Sequence, residues 1–593
     1  MPRLRIPLPA LTGSGRRYSA ARAGRALSPR GALALQSVDG ALSFALRAAL
    51  AMALPALPMA LAGRTDQAVY AMLGSFTTTF GRNLPYARRA RVLALVVVAM
   101  AACVGCGSAL AAWAHPRNAG AGAAAVVVAT AVVAGVAKLA CDAARLSGLG
   151  AVLLLFSFAV AANGSPVPAD ILARTALAAA GAAVAWVLAV AGWFVHPDRP
   201  QRLAVAAALR ELAELWETTG AGDASALARH RTTAAVLQAY RTLGVMPPTA
   251  AERGGRGGAC LYLTDLSWSL LIGSARRPPD DLTGLARQLR RQVRLLVSRR
   301  QRVPQVLPEL SLPSVAAQAA MVSATGPEPD RTDPATGHAA EARAAELVTG
   351  QHHGGPGHAA VLLVPALRMV LGTGLAGGAA LLLGLGHGYW AAISAAAVLH
   401  SINVRTAAQR AVQRTLGTVA GLMLALGVLA ARPDPVVLVL VIVLLEFLLE
   451  YVVARNYGLG VVFLTPLALL LSELATPSPA GALVQDRALS SALGIVIALG
   501  CALVVVHGHA AIRAERALAA CTEASDRAEH VLDGRLEPSF PLAQTHLAAA
   551  VVELREADDA AAGELWPAEI DPTELAAAEQ RAYLLLKRFV RWR

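Results

Sequence analysis

Charged residues are nearly absent from twelve stretches of this chain, and most of these approach the length that crosses a bilayer. A helix needs about 20 predominantly apolar residues to span the hydrocarbon. The runs fall at 41–62, 67–80, 92–113, 121–141, 147–163 and 171–195, then at 359–384, 388–404, 415–431, 435–453, 457–473 and 488–506. The run at 67–80 is short and rich in Ser and Thr. In hydrocarbon every backbone polar group must be satisfied internally, so such runs fold as helices. The expected fold class is an all-α membrane protein of two parallel six-helix transmembrane repeats plus helical cytoplasmic domains. The expected domains are a basic arm over 1–40, a first membrane half over 41–196, a helical domain and linker over 197–358, a second half over 359–506 and a helical domain over 507–593.

Composition agrees with this reading. The chain is 56% hydrophobic and only 16% charged, against about 25% charged in soluble domains. The formal net charge is +14, and all the basic side chains are arginine except Lys138 and Lys587. An arginine excess can signal nucleic-acid binding, but no arginine–aromatic platform accompanies it, and no nucleic-acid partner is expected. Codon bias in a GC-rich genome accounts for arginine over lysine. The six cysteines are scattered, mostly in expected helices, and imply no disulfide framework.

Basic loops stay in the cytoplasm. Arg3, Arg5, Arg16, Arg17, Arg22, Arg25 and Arg30 crowd the N-terminal arm, opposed only by Asp39. With the arm inside, the inner loops hold Arg82, Arg88, Arg89, Arg91, Arg145, Arg405, Arg410, Arg414 and Arg455, and the outer ones only Arg64, Arg117, Arg432 and Arg487. Both termini and the 197–358 segment are therefore expected in the cytoplasm of a cell-membrane protein. The arm also has the composition of a targeting peptide, and Arg16-Arg17 resembles a twin-arginine signal. The first apolar run continues into a spanning protein, which disfavours cleavage.

The halves resemble each other in one direction. Ala45-Leu46-Arg47 answers Ala366-Leu367-Arg368, and Ala144-Arg145-Leu146-Ser147-Gly148-Leu149-Gly150 answers Ala454-Arg455-Asn456-Tyr457-Gly458-Leu459-Gly460. Arg174 opens the sixth helix as Arg487 opens the twelfth. Six helices per repeat gives both halves the same orientation, with a pathway expected between them.

Ionisable groups inside spans are costly and usually face a protein interior. Lys138 and Asp142 lie four apart and can pair on one face. Glu446 and Glu450 are also four apart, and their repulsion favours a proton on one of them. They read either as an ion or proton path or as charges that staple helices and reach the interface. Arg47 and Arg368 read as carboxylate ligands or as snorkelling bases. Tyr389 and Trp390 read as an aromatic platform or as interfacial anchors.

Other patterns carry less. Gly372-Thr373-Gly374-Leu375-Ala376-Gly377 spells a dinucleotide fingerprint, but no strand precedes it and no acid follows at the required spacing, so close helix packing is expected. Cys103-Val104-Gly105-Cys106 lies mid-membrane, where redox chemistry is not expected. His338, His352, His353 and His358 belong to a Gly/Pro-rich linker, read as solvated rather than metal-binding. Helices are expected near 200–218, 224–243, 259–275 and 280–302. The last has an apolar stripe of Leu282, Leu285, Leu289, Val293 and Leu296 amid arginines, suited either to an anionic leaflet or to neighbouring helices. Residues 507–593 carry 15 acids and 10 bases, and 197–358 carry 19 bases and 15 acids, so charge could help them dock. No nucleotide loop, cofactor site, metal site or catalytic constellation appears, and the chain is not expected to be an enzyme.

In the second half, Gly388-Tyr389-Trp390-Ala391-Ala392-Ile393, Arg405 to Gln409-Arg410, and Gln413-Arg414-Thr415-Leu416-Gly417-Thr418 resemble the signature of the fusaric acid resistance (FUSC) family. Asn456-Tyr457, Phe463-Leu464-Thr465-Pro466 and Asp486-Arg487 to Gly494 continue the resemblance. The first half departs from it, with Tyr70 in place of the aromatic pair and Arg88-Arg89-x-Arg91 in place of the spaced arginines. The resemblance implies an efflux transporter of small amphipathic or aromatic organic acids, with proton coupling as one drive. A passive organic-anion channel and a non-transporting scaffold are the alternatives. Pathway candidates are Arg47, Lys138, Asp142, Arg368, Tyr389, Trp390, Glu446, Glu450 and Arg455, with Arg405, Arg410 and Arg414 as a cytoplasmic motif. The expected partners are the lipid bilayer and a small organic acid; a homo-oligomer and a periplasmic adaptor are left open.

Overall fold

The computed structural model describes residues 40–82, 84–114, 120–144, 146, 150–164, 167–217, 223–243, 258–273, 281–298, 305–311, 358–401, 404–475, 479–504, 509–534, 540–561 and 571–591. Among these residues the protein is helical and has no strand. The N-terminal arm, Arg145, Arg117 and the side chains of the His-rich linker lie outside the described residues.

The first half comprises α1 (Ala41–Leu61), α2 (Thr65–Ser75), α3 (Tyr86–Trp113), α4 (Gly120–Ala143), α5 (Gly150–Ala162) and α6 (Asp170–Val195). A 3-10 turn, Phe76–Thr79, extends α2. Next come α7 (Arg199–Glu217), α8 (Asp223–Leu243), α9 (Gly258–Gly273), α10 (Leu282–Val297) and the single turn α11 (Pro308–Ser311). The second half comprises α12 (His358–Leu382), α13 (Tyr389–Leu399), α14 (Val404–Ala430), α15 (Pro435–Val452), α16 (Tyr457–Ala475) and α17 (Ala480–Val504). Helices α18 (His509–Leu532), α19 (Phe540–Ala561) and α20 (Pro572–Arg591) follow.

Nine of these helices are long and apolar enough to cross a membrane. The exceptions among the twelve expected spans are α2, α5 and α13, at 11, 13 and 11 residues. Every residue of α5 and α13 is buried. Their length is therefore set by the surrounding protein and not by lipid. A helix ending inside the membrane leaves carbonyls without partners, and buried arginines supply donors. Arg368 donates to Leu399 O at 2.6 Å and to Ser401 O at the end of α13. Arg89 donates to Gly81 O at 3.1 Å and Arg82 O at 2.6 Å after the 3-10 turn.

Neighbour relations recur between the halves. Helices α1/α2, α2/α6, α3/α5 and α4/α5 pack as α12/α13, α13/α17, α14/α16 and α15/α16 do. Across the halves α1 lies on α15, and α12 lies on α4. The glycine run of α12 serves the second of these contacts: Cβ atoms at Gly374 and Gly377 would stand 3.3 and 3.2 Å from Ala131 and Val127. Close packing is thus the use of the fingerprint-like run.

The α2/α6 crossing is tighter. A Cβ at Gly181 would fall 1.9 Å from Ala71 O, and one at Gly74 2.0 Å from Ala178 O. Both obstacles are backbone, so the helices must separate to accept a methyl group. Gly181→Ala is expected to destabilise the protein by at least about 1–3 kcal/mol, the usual cost of overpacking. Gly378→Ala in α12, where nothing lies within 4 Å, is the control and should melt as the wild type does. Equal melting temperatures for both variants in detergent would refute the tight crossing.

Outside the membrane halves, α7–α11 and α18–α20 share one apolar core. The stripe of α10 faces this core: Leu285, Leu289, Val293 and Leu296 are buried, and α10 packs on α7. Asp281 caps the helix, accepting from Gly284 N at 2.7 Å. The stripe is therefore spent on neighbouring helices, not on a leaflet. Several ion pairs among the described residues lie within one segment. Arg290–Glu217 and Arg291–Glu309 pair within one segment, and Arg555–Glu579 and Arg581–Glu529 within the other. Apolar burial joins them.

Candidate functional site

The structure divides the expected pathway residues among separate clusters. The first lies where α15 packs on α1. Helix α15 buries Leu438, Val439, Ile442, Leu445, Glu446, Leu449 and Glu450 along one face. Glu450 accepts from Thr79 Oγ1 at 2.7 Å and from Arg82 Nη2 at 2.9 Å, so the second half is tied to the turn after α2 in the first. The guanidinium of Arg82 covers the Phe44 ring at 3.7 Å, and that of Arg47 stands 4.8 Å from the same ring. One turn back, Glu446 is 1% exposed, and its Oε2 has no hydrogen-bond partner among the described residues. The charge that acts on it is Glu450.

The second cluster is closed. Lys138 Nζ donates to Asp142 Oδ1 at 2.7 Å within α4. Arg368 is likewise committed, to the carbonyls at the end of α13. Arg455 stands over the Tyr451 ring at 4.1 Å. The thiols of Cys103 and Cys106 are free, and no group able to hold a metal occurs among the described residues.

The third cluster gathers α13, α14, α16 and α17. Trp390 is fully buried and Tyr389 lies beside it, ring centroids 4.6 Å apart. Tyr389 Oη and Ser472 Oγ are 3.1 Å apart. Arg414 donates to Tyr457 Oη at 3.3 Å and to Ser394 Oγ at 3.2 Å, and Ser394 also bonds Ser491 at 3.4 Å. The Arg487 guanidinium covers the Trp390 ring at 3.8 Å. The tight approach of α17 to α13 builds this arrangement: a Cβ at Gly494 would fall 2.3 Å from Ala391 O.

Two placements read from the sequence are corrected here. Arg405, Arg410 and Arg414 lie on a helix and not in a loop, because α14 already begins at Val404. Arg414 is 1% exposed, and Arg410 lies 5.6 Å from the Tyr457 ring. Arg487 is not an outer-loop base but a buried residue of α17, 2% exposed. The physical reason is common to both. Val404, Ala407, Ala411, Arg414, Thr418, Gly421 and Ala425 form one buried helical face, and that face continues past the point where the apolar run stops.

Arg487, Ser394, Ser491, Ser472, Thr79 and Tyr457 were absent from the candidates. A signal for Arg487 was available. Arg174 and Arg487 each precede a crossing glycine, Gly181 and Gly494, by the same spacing. Each glycine meets the residue after an aromatic, Ala71 after Tyr70 and Ala391 after Trp390. Arg174 stands 4.8 Å from the Tyr70 ring, as Arg487 stands over Trp390.

Fold and buried ionisable groups together define a multi-pass membrane protein, all-helical among the described residues. Residues 375–501, within the second membrane half, match the family described as "Fusaric acid resistance protein-like", in agreement with the resemblance of the sequence there. The chain is similar to the "Uncharacterized membrane protein YvaC" of Bacillus subtilis (strain 168), with 32% identity over 217 residues, 35% of this chain and 33% of that protein. The match thus spans about a third of that relative. No solved structure matches the chain.

Proposed function

We propose that this protein exports small amphipathic or aromatic organic acids across the cell membrane, coupled to protons, with α7–α11 and α18–α20 in the cytoplasm. The observation that carries the reading is Glu446, a carboxyl buried between the two halves with no cation paired to it among the described residues. Membrane proteins keep such a group where it takes up and releases a proton, meets water or changes partner. Glu450, one turn on, and Arg82 lead from it toward the end of α15. At another contact between the halves, α4 on α12, the ionisable residues of α4, Lys138 and Asp142, pair with each other. That difference favours the α1/α15 contact as the proton route. Arginines and aromatics around Trp390 suit a flat organic anion, and the family resemblance points the same way.

A strain lacking the gene, challenged with benzoate, salicylate and cinnamate, tests the reading. Heightened sensitivity that the gene restores, and that Glu446→Gln does not, is the expected result. Equal growth of all strains on every acid contradicts export.

A further inference from the structure

Among the described residues of the membrane halves, Arg487 is a buried arginine, 2% exposed, with two guanidinium nitrogens that have no partner. Arg89 and Arg368 spend their donors on backbone carbonyls, and Arg82 pairs with Glu450. Arg414 has two hydroxyl partners. Arg487 Nε and Nη1 find no hydrogen-bond partner among the described residues. Its electrostatic neighbours are Arg414, Tyr389 and Tyr457, none of them a carboxylate. Asp486, next in sequence, is engaged elsewhere, 2.9 Å from His387 Nδ1. What Arg487 has is the Trp390 ring. A cation–π contact offsets only part of the cost of burying an ion. The deficit grows because Arg414 adds a second positive charge nearby.

We infer that Arg487 and Arg414 form a binding site for the carboxylate of a small organic anion. The anion supplies the missing negative charge and accepts from the free donors of Arg487, and the rings of Trp390, Tyr389 and Tyr457 offer apolar surface to its body. Helix α17 carries Arg487 and Ser491, and α13 carries Trp390 and Ser394, so the bound anion bridges the two helices that Gly494 holds together. Arg487 is 2% exposed in this arrangement, so an anion reaches the guanidinium only when the helices around it move. The inference rests on the organic-acid reading above and locates the binding step within it.

The test is direct binding to the full-length protein in nanodiscs of neutral phosphatidylcholine, read by thermal shift and calorimetry at constant ionic strength. Benzoate should bind saturably and raise the melting temperature, and benzyl alcohol and chloride should not. In Arg487→Gln the benzoate affinity should fall at least about tenfold, the loss expected for one hydrogen bond to a charged group. The ligand-free melting temperature should hold or rise, since an uncompensated charge has been removed. Arg487→Lys, which keeps the charge and loses the planar donors, should bind with intermediate affinity. Benzoate binding to Arg487→Gln at wild-type affinity overturns the site, and so does a large fall in its ligand-free melting temperature, which marks a structural role. Chloride binding as well as benzoate overturns the carboxylate assignment. Glu446→Gln separates the two proposals. It should bind benzoate normally while failing to export it, so a failure of export leaves this site standing, and a failure of binding does not by itself touch the proton route.

Discussion

Glu446→Gln is expected to leave the protein inserted and folded and to reduce proton-coupled export to the flux of protein-free membranes, while Glu446→Asp keeps part of it. Glutamine has the volume of glutamate but cannot take up or release a proton. Glu446 lies seven residues before Val453, roughly 10 Å from the end of α15 at about 1.5 Å per residue. A glutamate stem is too short to bring its head to the interface over that distance, as lysine and arginine do. The structure adds that the group is 1% exposed and has Glu450 as its charged neighbour. Since no cation pairs with it among the described residues, the substitution breaks no ion pair seen there, and the melting temperature should be unchanged or higher. Export assayed in inside-out vesicles from the variant, alongside its melting curve, checks both halves of this expectation. Normal transport with an unchanged pH dependence would sink the proton route and favour a channel or a scaffold.

The largest stability effect is expected at the bond between the halves. Removing one partner of a buried pair leaves the other charge uncompensated and typically costs about 3–5 kcal/mol. The Arg82 side chain is 23% exposed and that of Glu450 3%, so the loss is unequal. Arg82→Gln strands the buried carboxylate and should cost about 3 kcal/mol, the low end because water reaches the arginine side. Glu450→Gln should cost less, since its amide can still accept from Thr79 and the freed arginine can turn toward solvent. The double variant should be more stable than the sum of the two losses indicates, because neither charge remains. Additive losses in a double-mutant cycle of thermal unfolding would show that the pair does not join the halves.

Much of the fold was legible because its period is strong. Twelve apolar runs marked twelve helices, and the positions of α7 through α10 fell within a few residues of those expected. What stayed hidden has physical causes. Helix starts were missed at α3, α14 and α17, where a buried face outlasts the apolar run. The three short helices are wrapped by protein, which a hydropathy window cannot distinguish from lipid. Side-chain partners across the halves, such as Thr79 and Arg82 with Glu450, lie far apart in sequence and leave no local trace. The candidate residues were a mixed set for the same reason. Lys138 with Asp142 was readable from helical spacing alone. Arg368 was visible as a buried base, but its role as a cap on α13 needed the neighbouring carbonyls. Arg487 was treated as a loop base because its helix begins seven residues earlier, at Ala480.

The central claim is export of an organic acid driven by protons, and flux into proteoliposomes tests it most directly. The purified protein would be reconstituted, a proton gradient imposed, and labelled 4-hydroxybenzoate followed with and without a protonophore, with the flux of protein-free liposomes subtracted. The account predicts accumulation above the external concentration that collapses with the protonophore and is absent with Glu446→Gln. Flux that merely follows the acid's own gradient, indifferent to the protonophore and to Glu446→Gln, or no flux above protein-free liposomes, would contradict it.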